Sequence, residues 1–342
     1  MTCITSCRGA KRWATAAFAL ALVSASGTAA AQQFTMKVSS PTIRTPNETW
    51  AETLKKNIEA RTNGRVAVSS YPGSQIASLF RLPEAVQFGT VEIGQTPPEF
   101  LTGIDERFSI FSAPAIFRDQ AHCYRTISDP ELRSNIWEIG RDKGILLVGH
   151  ICPAPSDYLT RQPVRKVDDL RGLKLRVFAS PIDREVMNRL GATGVPMPLD
   201  EVLPALQRRA IDGNKTGITV LVPFKFYDTA KFVLKAKESM ITLVRIMSAT
   251  WHAKLPDDIK AVLKDEFEKH EAVNQRAHED LVRAMYAAWE KNGGTVTELP
   301  PEEQNALYRR LETVGDEALK DKPKALELFR FMKRVAARHV GS

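Results

Sequence analysis

The segment richest in chemistry is Val167-Asp168-Asp169-Leu170-Arg171-Gly172-Leu173-Lys174-Leu175-Arg176-Val177. Asp168 and Asp169 suit the entry to a turn, and Gly172 relieves a tight bend. Leu173, Leu175 and Val177 then alternate with Lys174 and Arg176, which is the pattern of a half-buried strand. A guanidinium at the end of a strand that faces a cleft matches a planar carboxylate, because its fork makes two parallel hydrogen bonds. On the residues alone, an ordinary surface arginine on the outer row of an amphipathic strand is the default reading.

Catalytic constellations are absent from the pattern. The sequence contains no GxxxxGK[ST] loop, no GxGxxG, no GxSxG elbow and no HExxH. His270 and His278, eight residues apart, could share a helix face but have no third ligand nearby in sequence, so they read as solvated or interface histidines rather than a metal site. Glu266, Glu268 and Glu271 read as a solvated helix face. No enzyme activity, metal or cofactor is expected.

Residues 1–31 read as a cleavable secretory signal. Arg8, Lys11 and Arg12 precede an apolar run from Trp13 to Val23, and Ala29-Ala30-Ala31 offers a small-residue cleavage site before Gln32. The run falls short of the roughly 20 apolar residues that span a bilayer. The whole chain carries 48 basic and 40 acidic residues. Residues 1–31 hold three of the basic ones and no acidic one, leaving 45 against 40, a net charge of +5. That excess is spread out, so nucleic-acid binding is not expected. Cys123 and Cys152 remain after the signal in an oxidising compartment. Cys123 is placed early in a helix and Cys152 at a strand end, so a disulfide is expected, with two buried free thiols as the alternative.

The elements that would position these residues run in α/β order. Phe34–Ser40 is a strand, Pro46 to about Arg61 a helix, and Arg65–Ser70 a second strand. Leu79–Phe88 is helical, Val91–Gly94 is a short strand, and one helix from about Asp119 to Lys143 leads to a strand from Ile145 to Cys152. The Pro-rich stretch Cys152–Ser156 reads as a hinge, after which the alternation restarts. A polar helical run from Pro256 to about Asn292 is long enough to brace two lobes. The expected fold is a two-lobed α/β chain with hinge strands and a long bracing helix. Lobe I would hold 32–153, completed by about 242–281, and lobe II 154–241 with C-terminal helices at about 282–340.

The run DDLRGLKLRV, with GATGVPMP from Gly191 to Pro198 and ALQRRAIDG ending at Gly213, resembles the solute-binding proteins of tripartite ATP-independent periplasmic (TRAP) transporters, of the dicarboxylate-binding (DctP-like) family. The family's patterns are DLKGLKIRV, GA-P-P and ALQ-G-VDG. Tyr71-Pro72-Gly73-Ser74-Gln75-Ile76 is similar to its YP-SQLG segment. The resemblance implies two lobes closing on a ligand, with Arg176 paired to the ligand carboxylate. It also implies a periplasmic monomer that serves small and large membrane permease subunits. A receptor of the same fold feeding a sensor kinase is the alternative, and a periplasmic enzyme a weaker one.

The chain departs from the family where ligand contacts are implied. Gln-Glu-Asn-Pro of the family is replaced by Asn214-Lys215-Thr216-Gly217, so Thr216 takes the place of an asparagine that often contacts ligand. Lys215 is either a second cationic contact or a solvated lysine at a helix end, and the solvated reading is preferred. A second arginine common in sugar-acid and dicarboxylate binders would fall at Ser156, beside Asp157. Phe178, Phe224, Phe226 and Tyr227 are candidates for lining the pocket, with core packing as the default. One firm arginine in apolar company points to a monocarboxylate: a keto, hydroxy or aromatic acid.

Overall fold

A computed structural model describes residues 33–340. The expected signal segment lies outside them. Among the described residues no helix is long and apolar enough to cross a membrane.

The chain opens with strand β1 (Phe34–Ser39), helix α1 (Pro46–Arg61) and strand β2 (Val66–Tyr71). Pro46 starts α1, where a missing N–H costs nothing, and Trp50, Ala51, Leu54 and Ile58 form its buried face. Asn63 and Gly64, both at positive φ, turn the chain so that β2 runs parallel to β1. Helix α2 (Leu82–Gln87) precedes β3 (Ile93–Thr96), which lies on the other side of β1.

The single helix expected over 119–143 is instead two: α3 (Gln120–Ser128) and α4 (Pro130–Ile136). Pro130 has no N–H to continue α3, and the Asp129 side chain accepts from the backbone N–H groups of Glu131 and Leu132 to start α4. Strand β4 (Ile145–Pro155) follows. Cys123 of α3 and Cys152 of β4 are joined by a disulfide, with Cα atoms 6.2 Å apart.

The stretch read as a Pro-rich hinge is continuous strand up to Pro155, and only Ser156 separates β4 from β5 (Asp157–Thr160). Then come β6 (Lys174–Val177), α5 (Pro181–Leu190), β7 (Thr193–Pro196), α6 (Leu199–Gln207), β8 (Gly213–Thr216), the single turn α7 (Ile218–Leu221) and β9 (Phe232–Lys235). Strand β10 (Met240–Ser248) returns antiparallel between β3 and β4, followed by the short α8 (Ala249–Ala253). Helix α9 (Asp257–Lys291) has 35 residues, about 52 Å at 1.5 Å per residue. Strand β11 (Thr295–Glu298) and helices α10 (Pro301–Leu311), α11 (Val314–Ala318) and α12 (Pro323–Arg338) complete the described chain.

Two sheets result, in the orders β2-β1-β3-β10-β4 and β11-β9-β5-β8-β6-β7. The chain passes between them at β4 to β5 and back at β9 to β10. These two crossings are stitched together: Ser156 N–H donates to the Ser239 carbonyl (2.9 Å), and Lys237 N–H donates to the Ser156 carbonyl (3.0 Å). Helix α9 packs on α1 and β4 beside the first sheet and on α7 and β11 beside the second, which is the bracing role expected of it. The C-terminal helices, expected with the second lobe, straddle both. Helices α10 and α11 pack against α5, whereas α12 lies on α3, α4 and the helical turns of residues 106–112.

Candidate functional site

Strand β6 carries Arg176 between the sheets, where its side chain is 1% exposed. Its Nε donates to the Met197 carbonyl (2.7 Å) and Nη1 to the Lys215 carbonyl (3.3 Å), while the guanidinium carbon sits 4.5 Å from the centre of the Phe178 ring. Nη2 is buried and has no protein partner. No carboxylate among the described residues lies within ion-pairing distance. Burial pulls the guanidinium pKa down to about 10, opposed by the fields of Asp183, Glu99 and Asp200. The group therefore stays cationic at neutral pH: a buried charge, fixed by backbone carbonyls, with one donor edge unmet.

Arg176, Phe178 and Thr216 line one cavity of about 40 Å³. Its other walls are largely apolar: Leu79 and Leu199, Val220 of α7, and Ile241 and Leu243 of strand β10. Thr42, Thr45 and Asn47, around the start of α1, enter from the first sheet, and His278 enters from α9. Gly217, where the family has proline, also lines the cavity. A Cβ there would come within 2.5 Å of the Ala154 Cβ, so the small residue lets α7 approach the end of β4.

Three of the residues singled out in the sequence lie elsewhere. Asn214 is beside Arg176 in the β6–β8 register and two residues before Thr216 on the same strand face, but it does not line the cavity, and both its amide atoms are buried without partners. Ser156 sits at the crossing between the sheets, also buried.

Lys215 corrects the solvated reading. It is 1% exposed and lies inside strand β8, not at a helix end. Its Nζ contacts Asp183 Oδ1 (2.5 Å) and Glu238 Oε1 (2.7 Å). Burial alone would lower the lysine pKa, but these two carboxylates outweigh it and raise it. Its charge is spent inside the protein. Phe226 is buried in the hydrophobic core of the second sheet, and Phe224 and Tyr227 pack against that core.

The carboxylates read as a solvated face are also corrected. Glu266 and Glu271 are buried, and only Glu268 is exposed. Arg61 meets Glu266, and the Glu271 Oε2 accepts from the His150 backbone N–H (2.9 Å). His278 is buried rather than solvated, whereas His270 is half-buried against Glu266. Thr42, Thr45, Asn47 and His278 were not selected as site residues from the sequence. The histidine left a signal in its place on the bracing helix, but the loop before α1 left none that sets it apart from a helix start.

The family model DctP, bacterial extracellular solute-binding protein, family 7, matches residues 38–321. The chain belongs to this family. Among its relatives, the 2,3-diketo-L-gulonate-binding periplasmic protein YiaO of Escherichia coli is 24% identical over 281 residues, covering 81% of this chain and 84% of that one. The C4-dicarboxylate-binding periplasmic protein DctP of Rhodobacter capsulatus is 28% identical over 277 residues, covering 80% and 82%. A TRAP periplasmic solute-binding protein from Desulfovibrio salexigens, solved with bound orotic acid, matches with a TM-score of 0.84 at 20% identity, over 89% of this chain and 99% of that one. Another from Shewanella oneidensis, with bound succinate, gives 0.83 at 21% identity over 90% and 99%. The solute-binding fold thus holds over nearly the whole described chain, and the resemblance carried by the β6 strand is one of family.

Proposed function

We propose that this chain is the solute-binding subunit of a TRAP transporter, capturing a small organic monocarboxylate in the periplasm. It would close its two sheets on the acid and deliver it to small and large membrane permease subunits for uptake driven by an ion gradient. The observation that carries the reading is Arg176, a fully buried guanidinium in the cleft with an unmet donor edge and, among the described residues, no carboxylate at ion-pairing distance. A ligand carboxylate supplies both the charge and the acceptor. The ligands named for the relatives and neighbours above (2,3-diketo-L-gulonate, C4-dicarboxylates, orotic acid, succinate) are acids, which fits this choice.

The second cation close by, Lys215, is already met by two carboxylates, so the cavity presents one cationic side chain, among largely apolar and uncharged polar residues. That supports a keto, hydroxy or aromatic monocarboxylate over a dicarboxylate or sugar acid. A thermal-shift screen of the purified protein against organic acids, sugars and amines tests it, since a ligand bound at 100 times its Kd adds about 2.7 kcal/mol of stability. Shifts with monocarboxylates are expected, and shifts confined to sugars or amines would contradict the assignment.

A further inference from the structure

Besides Arg176 and its apolar walls, the cavity has a polar portion that carries no charge of its own. His278 on α9 is 1% exposed and lines the same cavity, and neither of its ring nitrogens has a partner in the protein. Asn47, the second residue of α1, is fully buried and lines it too. Its Nδ2 makes only a long 3.5 Å contact to Thr42 Oγ1, and its Oδ1 has no partner. The Thr42 and Thr45 hydroxyls beside them are already bonded to each other at 2.9 Å. Buried polar atoms without partners are rare and costly, so two such side chains on the packed helices α1 and α9, lining one cavity, mark a place where a ligand group completes the bonding.

Resting on the carboxylate reading of Arg176, we propose that His278 and Asn47 form a second, uncharged subsite that recognises a hydroxyl or carbonyl group on the part of the acid remote from its carboxylate. A neutral imidazole offers one N–H donor and one acceptor nitrogen, and the Asn47 oxygen is an acceptor. A hydroxyl can accept from the imidazole N–H and donate to Asn47. A keto oxygen can accept from the imidazole alone. His278 stays neutral because burial, with Arg245 nearby, pulls its pKa down to about 3. Arg245 itself stacks on Trp50 and donates to Asn274 Oδ1 (2.6 Å), outside the cavity lining. Of the acids the arginine allows, the subsite selects the hydroxy or keto acid and leaves a purely hydrocarbon or aromatic one with unmet polar atoms.

Calorimetric titration with matched acids of four to six carbons tests this, each set comprising an alkanoic acid, its ω-hydroxy and ω-oxo forms and the corresponding diacid. The wild-type protein is expected to bind at least one hydroxy or oxo acid tenfold or more tightly than its alkanoic parent. His278→Leu should shrink that preference below threefold while holding the parent's affinity within threefold, and His278→Gln, which keeps an N–H donor, should retain part of it. Equal binding of parent and hydroxy acid, tighter binding of the diacid, a preference that survives in His278→Leu, or equal loss of both acids in both variants would overturn the subsite and leave the Arg176 reading standing. If the wild-type protein binds none of these acids, the subsite falls, and the wider organic-acid screen decides the Arg176 reading separately.

Discussion

Arg176 and Lys215 sit on neighbouring strands and are both fully buried, yet their charges are met in different ways. Arg176 is held by two carbonyls, with no carboxylate among the described residues at ion-pairing distance. Lys215 bridges Asp183 of α5 and Glu238 at the return crossing, so it ties the strand whose carbonyl holds Arg176 to the connection between the sheets. Breaking a buried ion pair from one side leaves the partners' charges uncompensated. Lys215→Met should therefore destabilise the protein by about 3–5 kcal/mol near neutral pH, read as a lower denaturation midpoint. Glu99 gives a pH-dependent counterpart. Burial first, and then the neighbouring Asp183, push its carboxyl up to about 7 from an ordinary 4.5. The folded protein holds a proton there that the unfolded chain releases, so stability is lost as the pH rises from about 4.5 to 7. Glu99→Gln should then be more stable than wild type by roughly 1–3 kcal/mol at pH 8 and show no gain at pH 4, compared by urea unfolding at each pH.

At the scale of elements, the strands and helices of the α/β units follow their hydrophobic periods, and the 35-residue α9 follows an uninterrupted polar-apolar run. Local pattern placed Arg176 on its strand as well. What it missed depends on contacts between distant segments. Nothing near Lys215 in sequence announces Asp183, 32 positions away, or the buried face that turns Glu266 and Glu271 inward. Likewise the cleft wall of Asn47 and His278 exists only because α9 lies across α1. The break at Pro130 was legible in principle, since proline ends a helix whatever surrounds it. The Cys123–Cys152 bridge closes a span of 29 residues between α3 and β4. A loop of that size implies roughly 3–4 kcal/mol of stabilisation by chain entropy. Melting curves with and without a reducing agent should show a lower Tm for the reduced protein, and identical curves after verified reduction would count against that contribution.

Across the whole molecule, the cavity joins features that lie far apart in the chain. The guanidinium comes from the second sheet, part of the polar wall from α1 and α9, and part of the apolar wall from strand β10 of the first sheet. The two crossings are hydrogen-bonded side by side, and α9 spans both sheets beside them. A ligand held by both sides would favour the closed arrangement to the extent that it binds it better. The account stands or falls on the charge of Arg176. The most direct measurement is calorimetric titration of wild type and Arg176→Leu with the acid that gives the largest thermal shift. Loss of a buried, hydrogen-bonded charge partner costs about 3–5 kcal/mol, so affinity should fall at least 100-fold. The free variant should melt no lower than wild type, since an unmet buried charge has been removed. An affinity within threefold of wild type in the folded variant would contradict the claim that this arginine holds the carboxylate.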